Sequence, residues 1–334
     1  MKRELDGNNV KIIDIYSCES KYRSAIMGFA TIMILFFHQY AVSDSIILSV
    51  FSHIGHWGVD IFLFVSGFGI AHSLSKNTKV VFFLNRLKKM LPICLVVGLF
   101  GLTIDILHRE VDLVNLVPRL LCLDNWYVYT ISIYYILSPY LFKIMKWKAW
   151  VLPSVVVVLS VFISVFSLLQ PLSESTHFLV NKLPWAWDRF FIYLLGIYCF
   201  LKRSPKSSLL YIIGGIVFVL VVLAQYKVLP ITHCRLQVLA ISIPFVCYVI
   251  SLLCRLSTFI ENALSFFGKH SLSIFLLHLI VYSIGENHMV LIPHNGLRLF
   301  VEITVAIILA TIIDMIINKV LSFICAKHEK ESSD

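Results

Sequence analysis

The sequence predicts an all-α, polytopic membrane protein of about ten transmembrane helices with both termini in the cytoplasm. Three observations carry that fold class. Of 334 residues, 59% are hydrophobic and only 14% charged, with a mean hydropathy of +0.87, which is more apolar surface than a soluble domain of this length needs. The apolar residues come in blocks of about 20, the length that crosses a hydrocarbon core about 30 Å thick at 1.5 Å per helical residue. The alternating ten-residue segments of an outer-membrane barrel are absent. Finally, the basic residues divide unevenly between the two sides that these blocks define.

In chain order, residues 1–23 are polar and charged, with no apolar core and no small-residue cleavage site. They are expected to be a cytoplasmic segment, so that the first span itself directs insertion. The membrane domain is expected over 24–320. Its spans fall at 24–43, 57–74, 90–107, 126–143, 149–169, 185–201, 208–224, 237–254, 266–284 and 297–320, each bounded by charge, proline or glycine. The block 113–123 is read as a re-entrant or interfacial piece, and 321–334 as a cytoplasmic tail. With the termini and even-numbered loops on one side, that side carries 21 Lys and Arg residues and the other carries six, while Arg189 lies within a span. The positive-inside rule then puts both termini in the cytoplasm. The same asymmetry accounts for the net charge of +9, so the basic balance is no argument for nucleic acid. Of the eight cysteines, Cys94, Cys199, Cys247 and Cys254 sit inside apolar runs. No CxxC or Cys/His spacing suggests a metal, and the cysteines are expected to act as small buried hydrophobes.

Depth along the spans groups the ionisable residues. His38, in "ATIMILFFHQYAV", lies roughly 21 Å above the cytoplasmic boundary, Asp60 at roughly 25 Å, and His278 at roughly 20 Å. Asp188, Arg189 and Glu302 enter from outside to roughly 20–23 Å. Ionisable groups inside a bilayer need a partner, a cavity or a function. Five spans agreeing in depth point to a polar cavity that opens outward. Trp126, Tyr127, Trp185 and Trp187, at the outer ends of spans, read as an interfacial aromatic belt. At the cytoplasmic edge, "FFLNRLKKMLP" places Arg86, Lys88 and Lys89 just before the third span, with Pro92 suited to a first helical turn. The cluster is either ordinary positive-inside charge or a phosphate site.

Six stretches together resemble the integral membrane O-acyltransferases called acyltransferase family 3. They are "IMGFATIMILFFH", "GVDIFLFVSGFGIAHSL", "FFLNRLKKMLP", "NWYVYTISIYYILSP", "RFFIYLLG" and "GKHSLSIFLLH", and they agree with the family in order and spacing over nearly the whole chain. The resemblance implies transfer of an acyl group, usually acetyl, from cytoplasmic acetyl-CoA to a hydroxyl of an extracytoplasmic sugar. The acceptor would be a surface polysaccharide or glycolipid, and the location the inner or plasma membrane of a bacterium. His38 matches the family's catalytic histidine, and Arg86 the first arginine of its basic motif, where the CoA phosphates are thought to sit. Two positions depart from the pattern. Met27-Gly28 stands where the family has Arg-Gly, and Lys89 stands where it has a second arginine. Met27 and His38 share a helix face, being almost three turns apart, and Arg23, one turn lower, can stand in for the missing charge.

This implies an arrangement in which Arg86, Lys89 and Arg23 bind the donor and His38 is the general base, since imidazole titrates near neutrality. Asp60 is expected to orient His38. His278 is expected to donate to the thioester oxygen or to line the sugar site. Trp126, Tyr127, Asp188, Arg189, His278 and Glu302 would serve the acceptor. Ser66, in "FVSGF", lacks a GxSxG frame, and Ser66-Gly67 is read as a close helix contact. The chain ends about ten residues beyond its last span, so transfer is expected to be completed within the membrane part. The alternative class is a transporter or flippase of a polar or sugar-linked substrate, which would also need a polar cavity; no internal repeat supports it.

Overall fold

The computed structural model describes residues 15–38, 55–107, 116–159, 183–202, 208–225, 241–288 and 295–331. Among them the chain is helix and turn, with no strand. The helices are α1 (Ile15–Phe37), α2 (Trp57–Lys76), α3 (Lys79–Leu107), α4 (Leu116–Leu120), α5 (Trp126–Trp147) and α6 (151–159). They continue with α7 (Leu183–Leu201), α8 (Ser208–Gln225), α9 (Ile243–Leu256), α10 (Thr258–Lys269), α11 (Ser271–His288) and α12 (Asn295–Glu331). Each span expected from the sequence falls on helix over most of its described part, but 266–284 straddles the break between α10 and α11 instead of following one helix. Residues 39–43 of the first span, 160–169 of the fifth and 237–240 of the eighth lie outside the described residues, as do 1–14 and 332–334 of the two terminal segments.

Among the described residues, three helices are individually long and apolar enough to cross a membrane: α2, α3 and the Leu297–Phe323 part of α12. The pair α10 and α11, bent by 68° at His270, passes the same test of length and composition when taken together, as a broken span or a re-entrant loop. Among the described residues of the block 113–123, the helix is the five-residue α4, too short to span. Side chains such as Ile106 (61%), Ile136 (63%) and Phe300 (68%) are exposed on the outside of the bundle. In water they would form an aggregating patch, whereas against lipid tails they are ordinary.

Helices differ in how central they are. In α2, 72% of the apolar window is buried inside the protein, against 22% for α3, so α2 is a core helix and α3 a peripheral one. Between helices in lipid there is no hydrophobic drive, so contact depends on close packing and polar links. Glycine supplies that closeness at two crossings. At Gly28 of α1, a Cβ would run into the carbonyl of Leu264 and lie 2.9 Å from the amide nitrogen of Gly268 in α10. At Gly67 of α2, it would meet the carbonyl of Tyr193 in α7. Ser66-Gly67 is thus a packing feature, as the sequence suggests.

Two local expectations change. Pro92 is not at a first turn but well inside α3, which begins at Lys79. The basic motif itself is helical and extends α3 toward the basic end of the bundle. The helix tolerates the missing N–H at Pro92 because neighbouring groups can satisfy the freed backbone. In α5, by contrast, the start is as the chemistry dictates: the Asn125 side chain accepts from the Tyr127 amide at 3.0 Å and caps the helix.

Candidate active site

At the basic end of the bundle lies a cavity of about 830 Å³. Lys21 and Arg23 reach it from either side of a kink in α1 at Tyr22 (φ −106°, ψ 15°). Arg86, Lys88 and Lys89 come from α3, and Lys269 from the end of α10. The three donor-site residues expected from sequence, Arg23, Arg86 and Lys89, therefore face one space, and so does Met27. Arg86 is held with its guanidinium near the rings of Phe82 (5.5 Å) and Tyr135 (5.6 Å), cation–π contacts that fix its direction. The Arg23 guanidinium lies against Gly69 of α2, where a Cβ would come within 3.1 Å of it. Lys89 lies within the fields of both Arg23 and Arg86. Like charges gathered this closely repel, and an anion in the cavity relieves that repulsion.

Farther along α1, His38 meets His278 of α11, with ring centroids 5.1 Å apart. His278 is fully buried. Its Nδ1 donates to the carbonyls of Phe275 (2.7 Å) and Ile274 (3.3 Å). A carbonyl can only accept, so in the neutral ring the proton sits on Nδ1 and Nε2 carries the lone pair. That Nε2 is buried and has no hydrogen-bond partner. The neutral ring therefore offers an acceptor at this point, not the donor to a thioester oxygen that the sequence suggested. Tyr282, one turn on, donates to the Leu35 carbonyl at 3.1 Å and ties α11 to α1 just below His38.

Asp60 pairs with Arg189 rather than with His38: Nε and Oδ1 are 3.1 Å apart, with side-chain exposures of 4% and 0%. The contact is an ion pair without hydrogen-bond alignment, since both partners' atoms lack a well-directed partner. The Arg189 guanidinium also lies over the rings of Trp126 (4.6 Å) and Trp185 (5.7 Å). Arg189, Asp60 and Trp126 thus form one cluster. Tyr127 turns away from it, lines the basic cavity, and packs on Phe275 (4.8 Å), whose ring is 5.7 Å from that of His278. Tyr127 therefore belongs to the wall between the cavity and the histidines, not to an outer sugar surface. Asp188 is exposed on the outside of α7, turned about 100° from the buried Arg189 by helical geometry. Glu302 is buried and bonded to Arg298 at 2.8 Å, filling the space left by Gly285.

Several residues of this region were not singled out from sequence. Asp314, in the apolar run "IIDMII", lines the cavity with His270 and Ser273. Its signal was legible as a lone acid within a span, but it lies in the half away from the histidines. Arg119 joins Asp105 (2.8 Å) and Asp124, and the carboxylates, Asp105 foremost, hold it well above the ordinary arginine range. Charges spread over 20 residues of loop and helix leave no local pattern from which such a clamp can be read.

A family model described as an acyltransferase domain, that of acyltransferase family 3, matches residues 25–319. No curated protein and no solved structure matches the chain.

Proposed function

Because the chain belongs to acyltransferase family 3 and is a membrane acyltransferase, we propose that it moves an acetyl group from cytoplasmic acetyl-CoA to a hydroxyl of a cell-surface polysaccharide or glycolipid sugar. The observation that carries this is that the basic cavity and the histidine pair lie along one helix, α1. Met27 lines the cavity, and His38 lies on the same face of α1 about 16 Å farther along. Tyr127 and Phe275 form the wall between. Arg23, Arg86 and Lys89 hold the donor phosphates. The pantetheine arm then runs along α1 to bring the thioester to His38, and no coenzyme crosses the membrane.

The step is a direct transfer. The sugar oxygen attacks the thioester carbonyl while His38 takes the hydroxyl proton; the C–O bond forms and the C–S bond breaks. The proton then passes to the departing thiolate, so that CoA leaves as its thiol. The Nε2 of His278, an acceptor without a partner, lies on the ring that faces His38 and would orient it by accepting its N–H, the task expected of Asp60. Trp126 and Trp185 present stacking faces to the acceptor, and Arg189 keeps them in place. Family membership favours this chemistry over transport.

The test is transfer or hydrolysis of radiolabelled acetyl-CoA by the purified protein in detergent. His38→Ala should retain donor binding and lose at least about 100-fold in turnover, the lower range for a general base. Arg86→Ala should weaken donor binding. Undiminished turnover in His38→Ala would remove the base role, and donor binding absent from every version would remove acetyl-CoA.

A further inference from the structure

Among the described residues, the one carboxylate lining the basic cavity is Asp314 of α12. It is gripped at the elbow between α10 and α11. His270, the residue at the 68° bend, brings Nδ1 to 2.6 Å from its Oδ2, and the Ser273 hydroxyl donates to Oδ1. A carboxylate accepts only, so Nδ1 of His270 donates to Asp314, and whenever the ring is neutral its Nε2 is left as an acceptor. Both His270 and Asp314 face the cavity. Among the described residues that line the cavity, the other charged side chains are Lys and Arg, so this corner differs from them in offering acceptors.

A phosphate is repelled from that corner by Asp314 and drawn to Arg23, Arg86 and Lys89. What the corner complements is an uncharged hydrogen-bond donor attached to a phosphorylated ligand. We infer that His270, aimed by Asp314, recognises the adenosine part of the donor, with Nε2 accepting from the base amine or a ribose hydroxyl. This rests on the donor proposed above. It makes His270 a specificity residue for nucleotide-bearing donors and Asp314 its positioning residue.

The competing account is that the pair only holds the elbow, and one substitution separates the two. His270→Asn keeps an amide N–H near Nδ1 for Asp314 but has nothing at Nε2. Binding of two probes to the full-length protein in detergent is measured by calorimetry: adenosine 3′,5′-bisphosphate and inorganic pyrophosphate. We expect His270→Asn to weaken the bisphosphate roughly 3- to 10-fold, the loss of one hydrogen bond, and to leave pyrophosphate unchanged. His270→Gln, whose amide reaches the Nε2 position, should recover part of the affinity. Equal weakening of both probes, or no change in either, overturns the inference while leaving the donor proposal standing. If the unsubstituted protein binds neither probe, the donor proposal fails and this inference with it.

Discussion

The buried pair of Asp60 and Arg189 can be tested quantitatively. At 3.1 Å and an effective dielectric of 20, their attraction is about 5 kcal/mol. Asp60→Asn strands the guanidinium between Trp126 and Trp185, and Arg189→Met strands the carboxylate; each should destabilise the protein by about 3–5 kcal/mol. The double variant removes both charges together and should be close to the unsubstituted protein, so the coupling (the double loss minus the two single losses) should amount to about 6–10 kcal/mol in magnitude. Reversible unfolding in mixed micelles titrated with SDS gives all four stabilities. Strictly additive losses would refute the pairing. A second result would refute it differently: Asp60→Asn fully stable, yet turnover down by orders of magnitude. That would return the carboxylate to His38.

Two glycines should answer oppositely to alanine. Gly28→Ala drives a methyl into the backbone of α10 and should destabilise by about 3 kcal/mol, the upper range for overpacking. Gly101→Ala meets only the Arg119 side chain at an ordinary 3.7 Å and should be neutral or stabilising by up to about 1 kcal/mol; thermal melting of the two in one detergent checks the contrast. Arg86→Lys keeps the charge but loses the planar contacts with Phe82 and Tyr135. Its affinity for acetyl-CoA should fall roughly 3- to 10-fold without change in the maximal rate, measured by steady-state kinetics.

Helices were legible because lipid demands long apolar blocks whose ends are marked by charge, and every block from 24–43 to 297–320 meets a helix where described. The gathering of basic side chains was legible too: Arg23, Arg86 and Lys89, grouped from sequence near one edge of the spans, line one cavity. What depth along a span cannot supply is azimuth. Trp126 and Tyr127 are neighbours in sequence and in depth, yet one lies against Arg189 and the other lines the basic cavity, since each residue turns the helix by about 100°. The same rotation buries Arg189 and exposes Asp188. Asp60 and His38 agree in height, but the partner of Asp60 is set by how α2 crosses α7 at Gly67 and Gly196. That crossing is a matter of which faces meet, and hydropathy along one chain holds no record of it.

The backbone contact of α1 with α10 makes the first helix a ruler. Its zero mark is pinned at Gly28, beside the cavity, and its reading is taken at His38. Side chains along the stretch between can be exchanged without altering that reading. The number of residues cannot: one inserted residue lifts the imidazole by about 1.5 Å and swings it through about 100°, out of phase with His278. Across diverging sequences of this design, therefore, the ten-residue count should be held more strictly than the residues counted.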